Sequence, residues 1–208
     1  MGSNRTAVAE RKTKETDIYI KLSIDGEGET KINYPLGFMA HMLDTFARHG
    51  LFDIEINAKG DLEVDQHHLV EDTGIVLGQC FSKALGEKRG IKRNGSCLFP
   101  MDECLARAAV DLSGRPFLFL DTQLSSAPIL SLPDEKKSYE FQTNVIEDFW
   151  QGFASVAGCN LHLEIIRGIS DHHKIEAMFK AAARALRFAC EYDNRVINLI
   201  PSTKGVIV

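Results

Sequence analysis

His67-His68-Leu69-Val70-Glu71 and His172-His173-Lys174-Ile175-Glu176 are two copies of one pattern, HHxxE, in a chain of 208 residues that holds only seven histidines. A short motif repeated at this distance points to internal duplication, and the flanking sequence repeats with it. LFDIEINAKG (51–60) precedes the first block and NLHLEIIRG (160–168) the second, both alternating as strands do and both closing on glycine. Before each of these comes an amphipathic stretch of helical period. The first carries Phe38, Met39, Met42, Leu43 and Phe46, the second Ile146, Phe149, Trp150 and Phe153. Glu15 heads ETDIYIKLSIDG and Glu103 heads ECLARAAVDLSG, each eleven positions before a glycine. After each block the pattern turns helical, in TGIVLGQCFSKALG and AMFKAAARALRFACEY.

Each half therefore reads strand, strand, helix, strand, helix: an internally duplicated α+β fold, with helices packed on one face of each sheet. The join lies near GEKRGIKRNG (86–95), dividing the chain into 1–92 and 93–208, the second half carrying the C-terminal tail. The segment 123–138, QLSSAPILSLPDEKKS, has no counterpart in the first half and is expected to be a mobile loop. The tail NLIPSTKGVIV is too apolar to be dismissed as disordered.

Composition narrows the class. No apolar run is long enough for a membrane helix, and the N-terminus lacks the apolar stretch of a secretory signal. With 24 basic and 29 acidic residues the net charge is −5, which argues against a general nucleic-acid binder. Five scattered cysteines (Cys80, Cys97, Cys104, Cys159, Cys190), with no CxxC, read as buried thiols of a cytoplasmic protein.

If each HHxxE block opens a helix, its three polar side chains sit at roughly 0°, 100° and 40° around the axis, the glutamate between the histidines. Adjacent imidazoles diverge by about a quarter turn, so one ion rarely takes both. Two facing pairs could instead share two ions, one histidine from each half on each. Imidazole and carboxylate suit Mn, Fe, Zn, Co or Ni, and the lack of thiolate argues against a closed structural zinc site. The plainer reading of a lone pair is a solvated helix start with Asp65 as N-cap. Duplication favours metal.

Other residues are weighed singly. His41, in the apolar FMAHML, reads as a core histidine, and His49 as a helix C-terminal residue interacting with the dipole. His162 points away from the face of Leu161 and Leu163. Arg93, Arg115 and Lys204 sit in glycine- or proline-flanked turns that suit a phosphate, with Ser202 as a further donor, although isolated surface cations are commoner. Lys180 lies four residues after Glu176, either as an ordinary ion pair or as a proton donor or ligand clamp. Glu15 and Glu103 could exchange protons with a substrate, the plainer reading being exposed glutamates.

Taken together, KETDIYIKLSIDGEG, FMAHMLDTFARHGLFD, the HHxxE pair, PMDE, VDLSGRP, IEAMFKA and IPSTKG resemble the imidazoleglycerol-phosphate dehydratase family, over nearly the whole chain. The resemblance implies a ribosomal protein S5 domain 2-like fold and a carbon–oxygen lyase of histidine biosynthesis. Its reaction converts D-erythro-imidazole glycerol phosphate to imidazole acetol phosphate. It implies two Mn²⁺ ions per site, other divalent metals being possible. It also implies trimers built into a 24-subunit homo-oligomer with sites at subunit interfaces, and no nucleic-acid or membrane partner. Carried over, the metal ligands are His41, His67, His68, Glu71, His172, His173 and Glu176. Glu15 and Lys180 become the catalytic pair, with Arg93, Arg115, Ser202 and Lys204 on the phosphate.

Three positions depart from the family pattern. Ala40 replaces an aspartate, and Thr45 a glutamine that faces substrate. By the internal repeat, Asp148 stands opposite His41, where the family has a histidine ligand; aspartate is a harder donor that can still bind Mn²⁺. These departures predict a divergent member. The alternatives are a paralogue acting on another phosphorylated substrate by dinuclear metal chemistry, and a non-catalytic metal-binding shell.

Overall fold

In the computed structural model the described residues are 5–125, 127–130 and 140–207. The first half runs β1 (Thr6–Lys12), β2 (Thr16–Ser23), β3 (Thr30–Asn33), α1 (Gly37–Gly50), β4 (Asp53–Gly60) and α2 (His67–Leu85). The second repeats it as β5 (Asn94–Met101), β6 (Cys104–Asp111), β7 (Phe117–Asp121), α3 (Val145–Ala157), β8 (Asn160–Arg167) and α4 (Asp171–Cys190). The two sheets have matching orders, β1-β2-β4-β3 and β5-β6-β8-β7, antiparallel except where β3 joins β4 and β7 joins β8 in parallel.

Alternation explains the sheets. Ile18, Ile20 and Leu22 on β2 pair with Ala58, Ile56 and Ile54 on β4, all buried, while Lys21 and Glu55 pair between them on the open face. Such cross-strand apolar pairs are the unit of sheet stability. In the second sheet Ala106, Ala108 and Val110 pair with Ile165, Leu163 and Leu161. The small alanines let α4 lie close: a Cβ on Gly95 of β5 would stand 2.1 Å from the Ala185 carbonyl oxygen.

The duplicated α+β class is the observed one, but each half carries three strands before its first helix, not the expected two. Neither N-terminal strand advertises itself. Only Ala7 and Ala9 turn inward from β1, and β5 is at most half-buried along its length and contains Pro100.

The helices cover their own sheets and meet across the halves, α2 on α3 and α1 on α4. Three glycines set the first crossing. A Cβ would fall 2.1 Å from the Phe149 oxygen at Gly74, 2.6 Å from the Phe153 oxygen at Gly78, and 2.9 Å from the Glu71 oxygen at Gly152. Backbone thus approaches backbone, carrying the start of α2 against the start of α3. Around this crossing Trp150 packs with Phe46, Phe149, Phe153 and Phe179.

After α4 the chain folds back on the linker between the halves. Gly90 donates to the Leu199 oxygen, and Asp193 to the Gly90 oxygen, both at 2.8 Å. Of the expected mobile loop 123–138, Ser126 and residues 131–138 lie outside the described residues; Ile129 forms an isolated bridge with Phe141. All five cysteines are free, with Cys97 only partly covered and the other four buried. Among the described residues no helix is long and apolar enough to cross a membrane.

Candidate metal and substrate site

Both HHxxE blocks begin helices. Ser170 caps α4, its hydroxyl accepting from the His173 N–H. At α2 the N-cap position falls on Gln66, not on Asp65 as expected, yet Asp65 still satisfies a free donor by accepting from the His67 N–H at 2.8 Å.

The first convergence joins α1 to α4. Ligand atoms of His41, His172 and Glu176 all lie within 4.8 Å of one another. Glu176 Oε2 is 3.2 Å from His172 Nε2 and 3.5 Å from His41 Nε2. His41 is therefore not a core histidine: its side chain is 49% exposed, because position 41 turns off the apolar stripe toward α4. Phe38 stands edge-on to the His172 ring at 5.0 Å. Lys180 holds the other oxygen of Glu176, with Nζ 2.7 Å from Oε1. Burial alone raises the Glu176 pKa; the Lys180 hydrogen bond and charge outweigh it and leave the carboxyl below its ordinary range.

A related convergence joins α2 to α3. His67 Nε2 is 3.6 Å from Glu71 Oε2, while its Nδ1 is 3.0 Å from Asp148 Oδ2. The repeat thus places Asp148 where His41 stands in the first group, but on the opposite ring nitrogen from the glutamate.

The second histidine of each pair turns elsewhere. His68 Nδ1 lies 3.1 Å from Asp61, and His173 Nδ1 2.8 Å from Glu103. Both histidines have raised pKa values, chiefly through these carboxylate hydrogen bonds. Among the described residues no ring contact joins one histidine pair to the other, so the two pairs do not face each other inside one chain. The helix crossings are the reason: each block's helix meets the other half's first helix.

Glu15 and Glu103, equivalent in the repeat, have different surroundings. Glu103 accepts from the Ile169 and Ser170 backbone N–H groups as well as facing His173, and its pKa is far below the ordinary carboxylate value, first through Ser170 and then through His173. Glu15 is exposed in the turn before β2, and its charge contributes to raising the His68 pKa. His49 lies in the last turn of α1, as expected; burial, then the charges of Lys180 and Arg184, lower its pKa, and its ring stands edge-on to Phe99 at 5.2 Å. His162 is exposed on the outer sheet face, beside Phe117 and Phe119.

Arg93 and the tail come together. Arg93 grips both oxygens of Asp111, at 2.7 and 3.0 Å, and donates at 2.7 Å to the Pro201 oxygen, bringing Ser202 alongside. The Ser202 hydroxyl accepts from the Lys204 N–H. Arg115 is exposed on the turn between β6 and β7; among the described residues no hydrogen bond or ion pair carries it or the Lys204 ammonium to this cluster. Sequence reading missed Asp61 and Asp111. Asp61 directly follows the glycine that closes β4, and Asp111 lies within VDLSGRP, but only pairing across the fold gives either a role.

Thr45 is buried, so that position faces the core here. Ala40 packs against the same core.

A duplicated α+β frame that brings imidazole and carboxylate together at two helix crossings, with a tail anchored by a guanidinium, defines a protein whose side chains could hold a divalent metal ion. Two imidazole nitrogens and a carboxylate within 4.8 Å form a borderline-to-hard donor set that fits such an ion. The imidazoleglycerol-phosphate dehydratase family model matches residues 35–186. Imidazoleglycerol-phosphate dehydratase of Koribacter versatilis is 49% identical, over 98% of this chain and 100% of that protein. The protein of the same name from Thermoanaerobacter pseudethanolicus is 50% identical over the same shares. The crystal structure of imidazoleglycerol-phosphate dehydratase from Staphylococcus aureus superposes with a TM-score of 0.76 at 36% identity, over 90% of this chain and 99% of that one. The chain belongs to the imidazoleglycerol-phosphate dehydratase family, and it is a dehydratase of histidine biosynthesis. The divergence expected from Ala40, Thr45 and Asp148 is not found: half the residues are identical from end to end.

Proposed function

We propose that this dehydratase acts on D-erythro-imidazole glycerol phosphate in the cytoplasm, with two divalent ions, Mn²⁺ foremost, held by the HHxxE helices. The convergence of His41, His172 and Glu176 within 4.8 Å carries this reading. His67 and Glu71 form the related pair. Both groups are open on one side, His172 at 44% and His67 at 43% side-chain exposure, which suits ligand sets completed from outside the chain. His68 and His173, turned onto Asp61 and Glu103, are then the ligands lent to neighbouring copies. That arrangement supports a homo-oligomer with shared sites, the 24-subunit shell of trimers being its expected form.

A divalent ion bound there supplies Lewis-acid strength, acidifying the imidazole N–H and orienting the leaving hydroxyl. The chain's own residues do the rest. Glu15, exposed at the turn before β2, takes the proton from the carbon next to the one losing hydroxide and returns a proton when the enol becomes the ketone. Lys180, anchored on Glu176, sets a cation beside the reacting end. Arg93 and Ser202, joined through Pro201, take the phosphate with Arg115 and Lys204 and fix the substrate's orientation.

The test is conversion of D-erythro-imidazole glycerol phosphate to the ketone by the Mn²⁺-loaded protein, alongside Glu15→Gln. Turnover is expected in the parent and lost in the variant at unchanged metal content. A variant as active as the parent removes Glu15 from the chemistry.

A further inference from the structure

The two convergences differ in one respect that the sequence repeat conceals. In the first, all three donors meet through Nε2 of His41, Nε2 of His172 and Oε2 of Glu176. In the second, Glu71 faces Nε2 of His67 while Asp148 faces Nδ1. The two nitrogens of an imidazole point their lone pairs to opposite sides of the ring. An ion on Nε2 beside Glu71 is therefore turned away from a carboxylate that sits on Nδ1.

We propose that Asp148 is a positioning residue for His67 and not a metal ligand. The inference rests on the metal reading above. Asp148 accepts the Nδ1–H of His67, which fixes the tautomer with its free lone pair on Nε2, aims that lone pair toward Glu71 and makes it a stronger donor. His68 and His173 have the same arrangement, with Asp61 and Glu103 on their Nδ1 atoms. Three of the four motif histidines thus have a carboxylate behind the ring. His172 differs: among the described residues its carboxylate partner is Glu176, on Nε2. The duplication has consequently produced two unlike metal positions. The first has two imidazoles and a carboxylate from this chain, the second one imidazole and a carboxylate with an anion behind the imidazole.

The glycine contacts of the α2–α3 crossing fix the relation. Gly74 and Gly78 press on α3 and Gly152 on α2, so the start of α3 cannot slide along α2 to carry Asp148 round to Nε2. The Asp148 side chain is itself 33% exposed, so truncating it opens no cavity in the core.

The experiment is Mn²⁺ titration of the metal-stripped protein, followed by paramagnetic resonance of free Mn²⁺, for the parent, Asp148→Ala and Asp148→Asn. Thermal unfolding of each variant checks that it is folded. In the parent two ions bind per chain. Asp148→Ala weakens one of them, by about 10–100-fold as for other carboxylates behind metal-bound histidines, and leaves the other unchanged. Asp148→Asn recovers most of the loss, because its amide oxygen still accepts the Nδ1–H but is a poor substitute for a ligating carboxylate. An asparagine variant closer to alanine than to the parent overturns the assignment, and so does an alanine variant with undiminished affinity. Either result leaves the metal reading standing. A parent that holds no ion overturns both.

Discussion

The carboxylate of Glu103 lies 2.8 Å from Nδ1 of His173, while also accepting the Ser170 and Ile169 N–H groups. These contacts hold Glu103 in one position, whereas its repeat counterpart, Glu15, stays exposed in the turn before β2.

The pair has a pH signature. Glu103 is depressed below the ordinary carboxylate value of about 4.3, so its stabilisation is present above that value and is lost as pH falls toward the folded pKa. His173 is raised above about 6.5, so its share is present below that value and is lost as pH rises through the folded pKa. Both contributions coincide between about pH 5 and 6. Glu103→Gln is expected to flatten the denaturation midpoint against pH on both sides of that window. A variant profile parallel to the parent's would show that the pair adds no pH dependence.

Gly74→Ala tests the helix crossing that brings Asp148 to His67. Its Cβ would stand 2.1 Å from the Phe149 carbonyl oxygen, and backbone on both sides leaves no side chain to yield. A loss of about 1–3 kcal/mol is expected from such overpacking, read by chemical denaturation.

Trp150 is the chain's one tryptophan, and it is fully buried with Nε1 lacking a hydrogen-bond partner among the described residues. Trp150→Phe removes that unsatisfied donor while vacating part of an aromatic site. The two effects oppose, so the net loss is expected near about 1 kcal/mol, against about 3–5 for Trp150→Ala. Calorimetric midpoints of the two variants give the comparison.

Arg93→Lys keeps the charge but loses the planar fork that spans both Asp111 oxygens and reaches the Pro201 carbonyl. The tail after α4 should loosen, with faster limited proteolysis within 193–207 and a higher KM for the phosphorylated substrate. Equal cleavage rates would show that the other linker contacts, Gly90 with Leu199 and Asp193 and Arg89 with Asn198, suffice to hold the tail.

Much of the fold was legible because burial imposes a period. Met39, Met42, Leu43 and Phe46 mark α1, and the alternation of Ile54 and Ile56 marks β4, since each must turn a regular set of side chains inward. Strand β1 is not legible in the sequence because Ala7 and Ala9 give alternation without hydrophobic contrast. His41 was misleading on local grounds: its neighbours Met39 and Met42 are core residues, and only the approach of α4 gives its imidazole a partner.

The sequence by itself determined the duplication, the α+β class, the two helix-opening HHxxE blocks and the family, since these depend on local period, spacing and residue identity. Tertiary structure alone decided which groups meet. His41 joins His172 and Glu176, Asp148 takes the far nitrogen of His67, and Glu103 is held on Ser170 and His173 while Glu15 stays exposed. Those pairings depend on how α1 crosses α4 and how α2 crosses α3. Backbone contacts at Gly74, Gly78 and Gly152 set the second crossing, and no local pattern encodes contacts between residues about 75 positions apart along the chain.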